Sequence, residues 1–179
     1  MGNKFNPKIP HRYAHLNPND VVFTPDGVAK FIVDMFCPSG KILEPCSGEG
    51  AFLRALPEGV EWCEIVYGRN FYDYNKPVDW IVTNPPYSDF DRFLIHCMAL
   101  AENILLLVPI AKIFKSMKTI RLIYNYGGIV KMYFLGANKC GFPFGFPCMA
   151  VHFKKGYNGV CEILCDSDSS QEQIPIGLK

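Results

Sequence analysis

The chain has 179 residues, 49% hydrophobic and 20% charged, with a formal net charge of +1. That length suits one ordinary domain of about 100–150 residues, and the composition excludes a disordered chain and supplies enough apolar mass for a full core. A nearly neutral balance neither demands nor excludes a nucleic-acid partner, so any basic surface must be local.

The segment Met1-Gly2-Asn3-Lys4-Phe5-Asn6-Pro7 carries no apolar stretch that reads as a signal peptide, and Asn6 stands where a myristoylation signal needs Ser or Thr. The longest apolar run, broken by Pro109, is too short to cross a bilayer. Eight cysteines are present, but there is no Cys-x-x-Cys pair. Cys37, Cys46, Cys63 and Cys97 sit among apolar neighbours, and Cys161 and Cys165 share one face of a strand. The expectation is therefore buried free thiols, no metal site, no membrane partner and a cytoplasmic chain.

Residues 1–20, with Pro7, Pro10 and Pro18, read as an irregular arm; residues 21–165 read as one domain, and residues 166–179 as a polar tail. Thr24-Pro25-Asp26 reads as a helix start, with Thr as cap and Pro at the first helical position. Val28, Phe31, Ile32 and Met35 continue it, and Pro38-Ser39-Gly40 ends it. Residues 41–44 form a short strand running into a glycine turn, and 51–56 resume as helix. Residues 62–67 and 78–83 are strands apolar enough for a sheet covered on two faces. Residues 91–101 have helical spacing, 104–108 form the most apolar strand, and one helix is expected over 111–126. Strands follow at 129–135 and 149–153, with a further one at 160–165.

Strands alternating with helices predict an α/β domain with a mostly parallel, twisted, doubly wound sheet and helices on both faces. The last two long strands have no helix between them and are expected to pair antiparallel. Ligands of such sheets bind at the carboxyl ends of the strands, where the notable residues fall.

In Glu44-Pro45-Cys46-Ser47-Gly48-Glu49-Gly50-Ala51-Phe52, Gly48 and Gly50 would let backbone approach a ligand where a Cβ would collide. A dinucleotide fingerprint wants a third glycine where Leu53 stands, so that version fails. Glu64 is spaced to end the next strand, where a carboxylate can accept both hydroxyls of a ribose. Asn84-Pro85-Pro86-Tyr87 follows a third strand. Two successive prolines remove two N–H donors and fix two φ angles, giving a stiff corner with outward carbonyls. Such a corner suits a planar amine held by two hydrogen bonds. If the Asn84 side-chain oxygen and the Pro85 carbonyl accept its N–H groups, the nitrogen lone pair is turned toward an electrophile. Tyr87 would stack on a base drawn out of the duplex.

On these residues the chain resembles the S-adenosylmethionine-dependent, adenine-specific (N6) DNA methyltransferases, and is most similar to small stand-alone phage-type members. The resemblance covers roughly residues 21–153. It implies a single Rossmann-like class I methyltransferase domain and S-adenosylmethionine as cofactor. The implied reaction is that of a site-specific DNA-methyltransferase acting on the 6-amino group of a flipped-out adenine. The cofactor motif falls on Glu44, Pro45, Cys46, Gly48, Gly50 and Phe52, the catalytic tetrad on Asn84, Pro85, Pro86 and Tyr87. Phe23, Thr24 and Pro25 are implied to contact the methionine end of the cofactor, and Glu64 to be the acid of the second strand. Asn70-Phe71 stands where the family often has Asp-Phe against the cofactor adenine, so Asn70 supplies one acceptor. The implied setting is a bacterial cell or a phage-infected host.

The span between Glu64 and Trp80 is too short for a full helix, and there is no room for a separate target-recognition domain. Selectivity must then come from loops, a homo-oligomer or a separate specificity subunit, or be slight. Lys112, Lys115, Lys118 and Arg121 recur at near-helical spacing as a candidate phosphate-contacting ridge; a solvated helix face reads the same way. Lys4, Lys8, His11, Arg12 and His15 form a second basic candidate. Lys139, Phe142 and Phe144 lie in a Gly/Phe/Pro-rich loop that could stack a base or plug the sheet end. His96 reads as a packed histidine. Two other readings stay open: the same chemistry on an RNA adenine or guanine amine or a protein glutamine amide, and a non-catalytic cofactor-binding subunit.

Overall fold

The computed structural model describes residues 10–18, 20–136, 140 and 147–165. The elements in chain order are α1 (Asp26–Phe36), β1 (Ile42–Glu44), α2 (Ala51–Ala55), β2 (Glu61–Trp62), β3 (Val78–Thr83), α3 (Phe90–Leu100) and β4 (Ala101–Pro109). There follow α4 (Ile110–Ile113), α5 (Met117–Tyr126), β5 (Gly127–Leu135), β6 (Cys148–Lys155) and β7 (Glu162–Cys165). Short 3-10 turns occupy His11–Tyr13, Ile65–Tyr67 and Phe71–Asp73.

The strands form one seven-stranded sheet in the order β2-β1-β3-β4-β6-β5-β7. β6 lies antiparallel to both β4 and β5, and every other neighbouring pair is parallel. The chain leaves β1 for β2 on one side, then crosses to β3 on the other. The carboxyl ends of β1 and β3 therefore flank a topological switch point, where such sheets leave a crevice.

Alternation along β4 divides the core. Ile104, Leu106 and Val108 face α3, α4 and α5 through Phe90, Phe93, Leu94, Ile113 and Ile123. Leu105 and Leu107 face α1 and α2 through Val28, Ala29, Ile32 and Phe52. Helices thus cover both faces, and β4 is buried on both, which is why it reads as an unbroken apolar run.

Four local expectations change. Thr24 does not cap α1: Pro25 holds the N-cap position without a side-chain bond, and the Thr24 hydroxyl turns to Asn84 instead. The strand expected over 62–67 ends at Trp62. Glu64 bridges antiparallel to Arg69, and its carboxylate accepts the Val66 N–H, starting a 3-10 turn that a left-handed Gly68 closes. The helix expected over 111–126 is two. Ser116 is extended and caps α5 by accepting the Thr119 N–H at 3.2 Å, breaking the ladder after α4. Finally, Cys63, Cys97, Cys140 and Cys148 are buried, but Cys37 and Cys165 are exposed. Cys37 ends α1 in the left-handed conformation, with its thiol donating to the Asp34 carbonyl.

Candidate active site

β1 ends at Glu44, which has no exposed surface. One carboxylate oxygen accepts the Cys46 N–H at 3.0 Å. The other is buried near the Thr83 hydroxyl at the end of β3, with no well-formed hydrogen bond to it. Burial pushes the Glu44 carboxyl up to about 8, with partial opposition from the Thr83 hydroxyl and the Cys46 N–H.

The turn after Glu44 uses left-handed backbone at Gly48 (φ 51°) and Gly50 (φ 83°), which glycine adopts without Cβ strain. The Gly48 N–H donates to Glu64 at 2.7 Å, and the second Glu64 oxygen accepts from Val66. Both oxygens of the expected ribose acid thus already hold backbone N–H groups, with lone pairs left over for a ligand.

Asn70 begins the next 3-10 turn by accepting the Tyr72 N–H at 3.2 Å. Phe71 is buried against Phe93 and His96, with ring centroids 4.9 and 4.6 Å away. His96 Nε2 lies 3.1 Å from the carbonyls of Phe71 and Tyr74, so the protonated nitrogen donates and pins this loop. The packed histidine expected from the sequence therefore supports a wall of the site.

At the end of β3, the Asn84 amide nitrogen donates to the Val22 carbonyl at 3.0 Å and to the Thr24 hydroxyl at 3.2 Å. These bonds turn the side-chain oxygen toward Tyr87, whose hydroxyl donates to it at 2.7 Å. Burial raises the Tyr87 phenol well above its ordinary range, keeping that proton in place. Tyr87 is 7% exposed. The expected stacking platform is in this structure a buried ring occupying the acceptor atom of Asn84, and stacking requires it to turn out.

A cavity of about 230 Å³ joins these pieces. Of the sequence-predicted residues, Phe23, Pro45, Cys46, Gly48, Glu64, Asn70, Phe71, Asn84 and Pro86 line it. Thr24 and Phe52 line a smaller adjoining cleft that shares Phe23, Cys46, Gly48 and Asn84. Pro25, Glu44, Gly50, Pro85 and Tyr87 line neither and act on the shape of the turns or sit beneath them.

The arm supplies walls that the sequence reading did not assign. Tyr13, Leu16, Asn17 and Asp20 line the same cavity. Tyr13 is buried edge-on against Phe23, 5.1 Å between centroids. Arg12 pairs with Glu49 on the glycine turn, so this member of the basic arm is spent inside the molecule. No local pattern marks Arg12 and Asp20, because their partners lie 37 and 67 positions away.

The ridge is also partly redirected. Lys112 donates to the Tyr87 carbonyl at 2.8 Å, and Lys115 pairs with Asp91 at 3.0 Å. Lys118 and Arg121 remain exposed on α5. Lys139, Phe142 and Phe144, with Lys4 and Lys8, lie outside the described residues.

No family model matches the chain. No curated protein sequence matches it either. Among solved structures, it is similar to a putative class I S-adenosylmethionine-dependent methyltransferase from Listeria monocytogenes, with a TM-score of 0.58 and 15% identity over 85% of this chain and 67% of that one. It is similar to the type I restriction enzyme EcoKI M protein, with a TM-score of 0.60 and 13% identity over 80% of this chain and 45% of the other. It also resembles a putative RNA methyltransferase from Pyrococcus horikoshii, with a TM-score of 0.52 and 11% identity over 73% and 83% of the two chains. The fold is that of the class I methyltransferases. This chain spans under half the length of the EcoKI M protein. In this Rossmann-like setting the glycine turn after β1 and the proline corner after β3 open onto the switch-point crevice from opposite sides. Among the described residues, no helix is long and apolar enough to cross a membrane.

Proposed function

We propose that this chain transfers a methyl group from S-adenosylmethionine to the 6-amino group of an adenine in DNA. The observation that carries the reading is the single cavity that runs from the glycine turn to Asn84. Its walls fit the cofactor chemically. Phe23, Phe71 and Ile65 offer apolar surface for an adenine ring, Glu64 and Asn70 offer acceptors for ribose and ring amine, and the Gly48 turn brings backbone close. When bound, the cofactor supplies a methyl group made electrophilic by its sulfonium.

The protein's own contribution is orientation. Asn84 is held by Val22 and Thr24 with its oxygen free to trade the Tyr87 proton for an amine N–H, an exchange of one hydrogen bond for another. The two prolines fix the backbone around that acceptor, so a conjugated amine held there has its lone pair directed rather than searching. Displaced from Asn84, the Tyr87 ring becomes available to an extruded base. Lys118 and Arg121, exposed on α5, serve in this reading as phosphate contacts.

Tritium transfer from labelled S-adenosylmethionine to DNA, RNA and protein, offered separately, tests the assignment. The expected result is label in DNA, recovered as N6-methyladenine. Label confined to RNA, a second reading given weight by the likeness to the Pyrococcus horikoshii protein, or to a glutamine side chain, moves the acceptor and keeps the chemistry. No label anywhere, despite cofactor binding, leaves a non-catalytic subunit.

A further inference from the structure

We infer that Asp20 is a positioning residue for the proline corner, a role that rests on the methyl-transfer reading of that corner. Pro85 and Pro86 have no N–H, so the first two backbone donors after Asn84 are those of Tyr87 and Ser88. Both donate to one oxygen of Asp20, each at 2.8 Å, and the Ser88 hydroxyl donates to the other oxygen. α3 does not begin until Phe90, and its N-cap residue Asp89 makes no side-chain cap. Tyr87 and Ser88 precede the helix, so no helical bond serves their N–H groups, and a carboxylate from 67 positions upstream accepts both.

The geometry around Tyr87 makes this a clamp on the acceptor and not only a loop tie. Asp20 takes the Tyr87 N–H, Lys112 holds the Tyr87 carbonyl, and the Tyr87 hydroxyl meets Asn84. Val22 and Thr24, on the same short segment as Asp20, fix the Asn84 amide. Residues 20–24 thus set both the direction of the Asn84 oxygen and the position of the side chain with which an incoming amine must exchange. Charge-assisted bonds from three donors make a carboxylate a firmer anchor than a neutral acceptor.

Asp20→Ala and Asp20→Asn test the clamp by three readouts: amide hydrogen exchange, calorimetric binding of S-adenosylhomocysteine, and single-turnover methyl transfer to an adenine-containing duplex. In Asp20→Ala, exchange at the Tyr87 and Ser88 amides should rise about 10-fold or more, while the β4 amides stay protected. The transfer rate constant should fall roughly 10- to 100-fold with cofactor affinity within about threefold of the original, the split expected when orientation rather than binding is lost. Asp20→Asn keeps an oxygen for both amides and should restore most of the rate. A purely structural role would instead lower stability and cofactor affinity together, without rescue by Asn, and that pattern overturns the proposal. So does unchanged exchange at the two amides, or an undiminished rate in Asp20→Ala. If Asp20→Ala does not fold, Asp20→Ser, too short to span both amides, is read by the same criteria. If the unmodified protein transfers no methyl group, the exchange data alone decide the clamp and the failure falls on the assigned reaction.

Discussion

β4, β6 and β5 run nine, eight and nine residues on one side of the sheet, whereas β1 and β2 on the other run three and two. The long strands are paired along nearly their whole length, and their alternating side chains fill both layers of the core. The short strands stop early and yield to turns held by side-chain-to-backbone bonds, among them Gly48 on Glu64, Val66 on Glu64 and Tyr72 on Asn70. Glu44 at the end of β1 is fully buried on this short-strand side, a carboxyl held away from water beneath the glycine turn. One half is a scaffold paired along its strands; the other is a set of turns arranged around a cavity. Changes in the first should cost stability, and changes in the second should cost chemistry or ligand binding.

The sharpest break of that division is Asn84→Ala. Loss of one orienting polar group should lower methyl transfer by about 100-fold or more, with S-adenosylhomocysteine affinity nearly unchanged by calorimetry. On the scaffold side, Leu106→Ala removes a side chain with no exposed surface, packed from β4 in the core with Phe93 and Ile123. It should cost about 2–5 kcal/mol in urea unfolding, while the activity of the remaining folded protein changes little.

Glu44 sharpens the comparison through pH. Its folded-state value, up to about 8, lies above the ordinary 4.5, so between those values the folded chain keeps a proton that the unfolded chain releases. This contribution to stability is fully present below about pH 4.5, declines as pH rises, and is gone above about 8, with a slope of at most about 1.4 kcal/mol per pH unit. Glu44→Gln should flatten that decline in unfolding curves taken across the window without ligand. A decline of the same slope in the variant would assign the effect elsewhere.

The smallest expected effect lies outside both halves, on α5. Replacing Lys118 and Arg121 by Ala should weaken DNA binding at low salt and reduce the slope of log affinity against log salt by about 1–2. An unchanged slope would make this a solvated helix face.

The sequence shows the scaffold half because its signal is local. The apolar run of β4, the period of α1 and the hairpin-like succession of β5 and β6 each follow from neighbours within one element. The site is half visible for a different reason. Gly48, Gly50 and the two prolines are marked by the backbone conformations they permit or forbid, so the glycine turn and the corner are readable. Asp20 and the placement of Tyr87 are not, because they depend on a bond that spans 67 positions; nor does any local pattern mark the packing of Tyr13 on Phe23. The end of β2 is hidden for a different reason: Glu64 acts as the cap of a turn, and nothing in a run of apolar residues announces that its carboxylate takes the Val66 N–H. Ser116, by contrast, carried a usable signal, a Ser three residues before Thr119 at the head of an amphipathic stretch.

The account stands on Asn84 serving as the acceptor that orients an adenine amine beside bound cofactor. Base-resolved detection of N6-methyladenine in DNA from cells expressing the chain, compared with cells expressing Asn84→Ala at equal protein level, tests this most directly. Methylated adenine should be present with the first and absent with the second. Equal methylation in both, or none with the first when the purified chain binds S-adenosylmethionine, would contradict it.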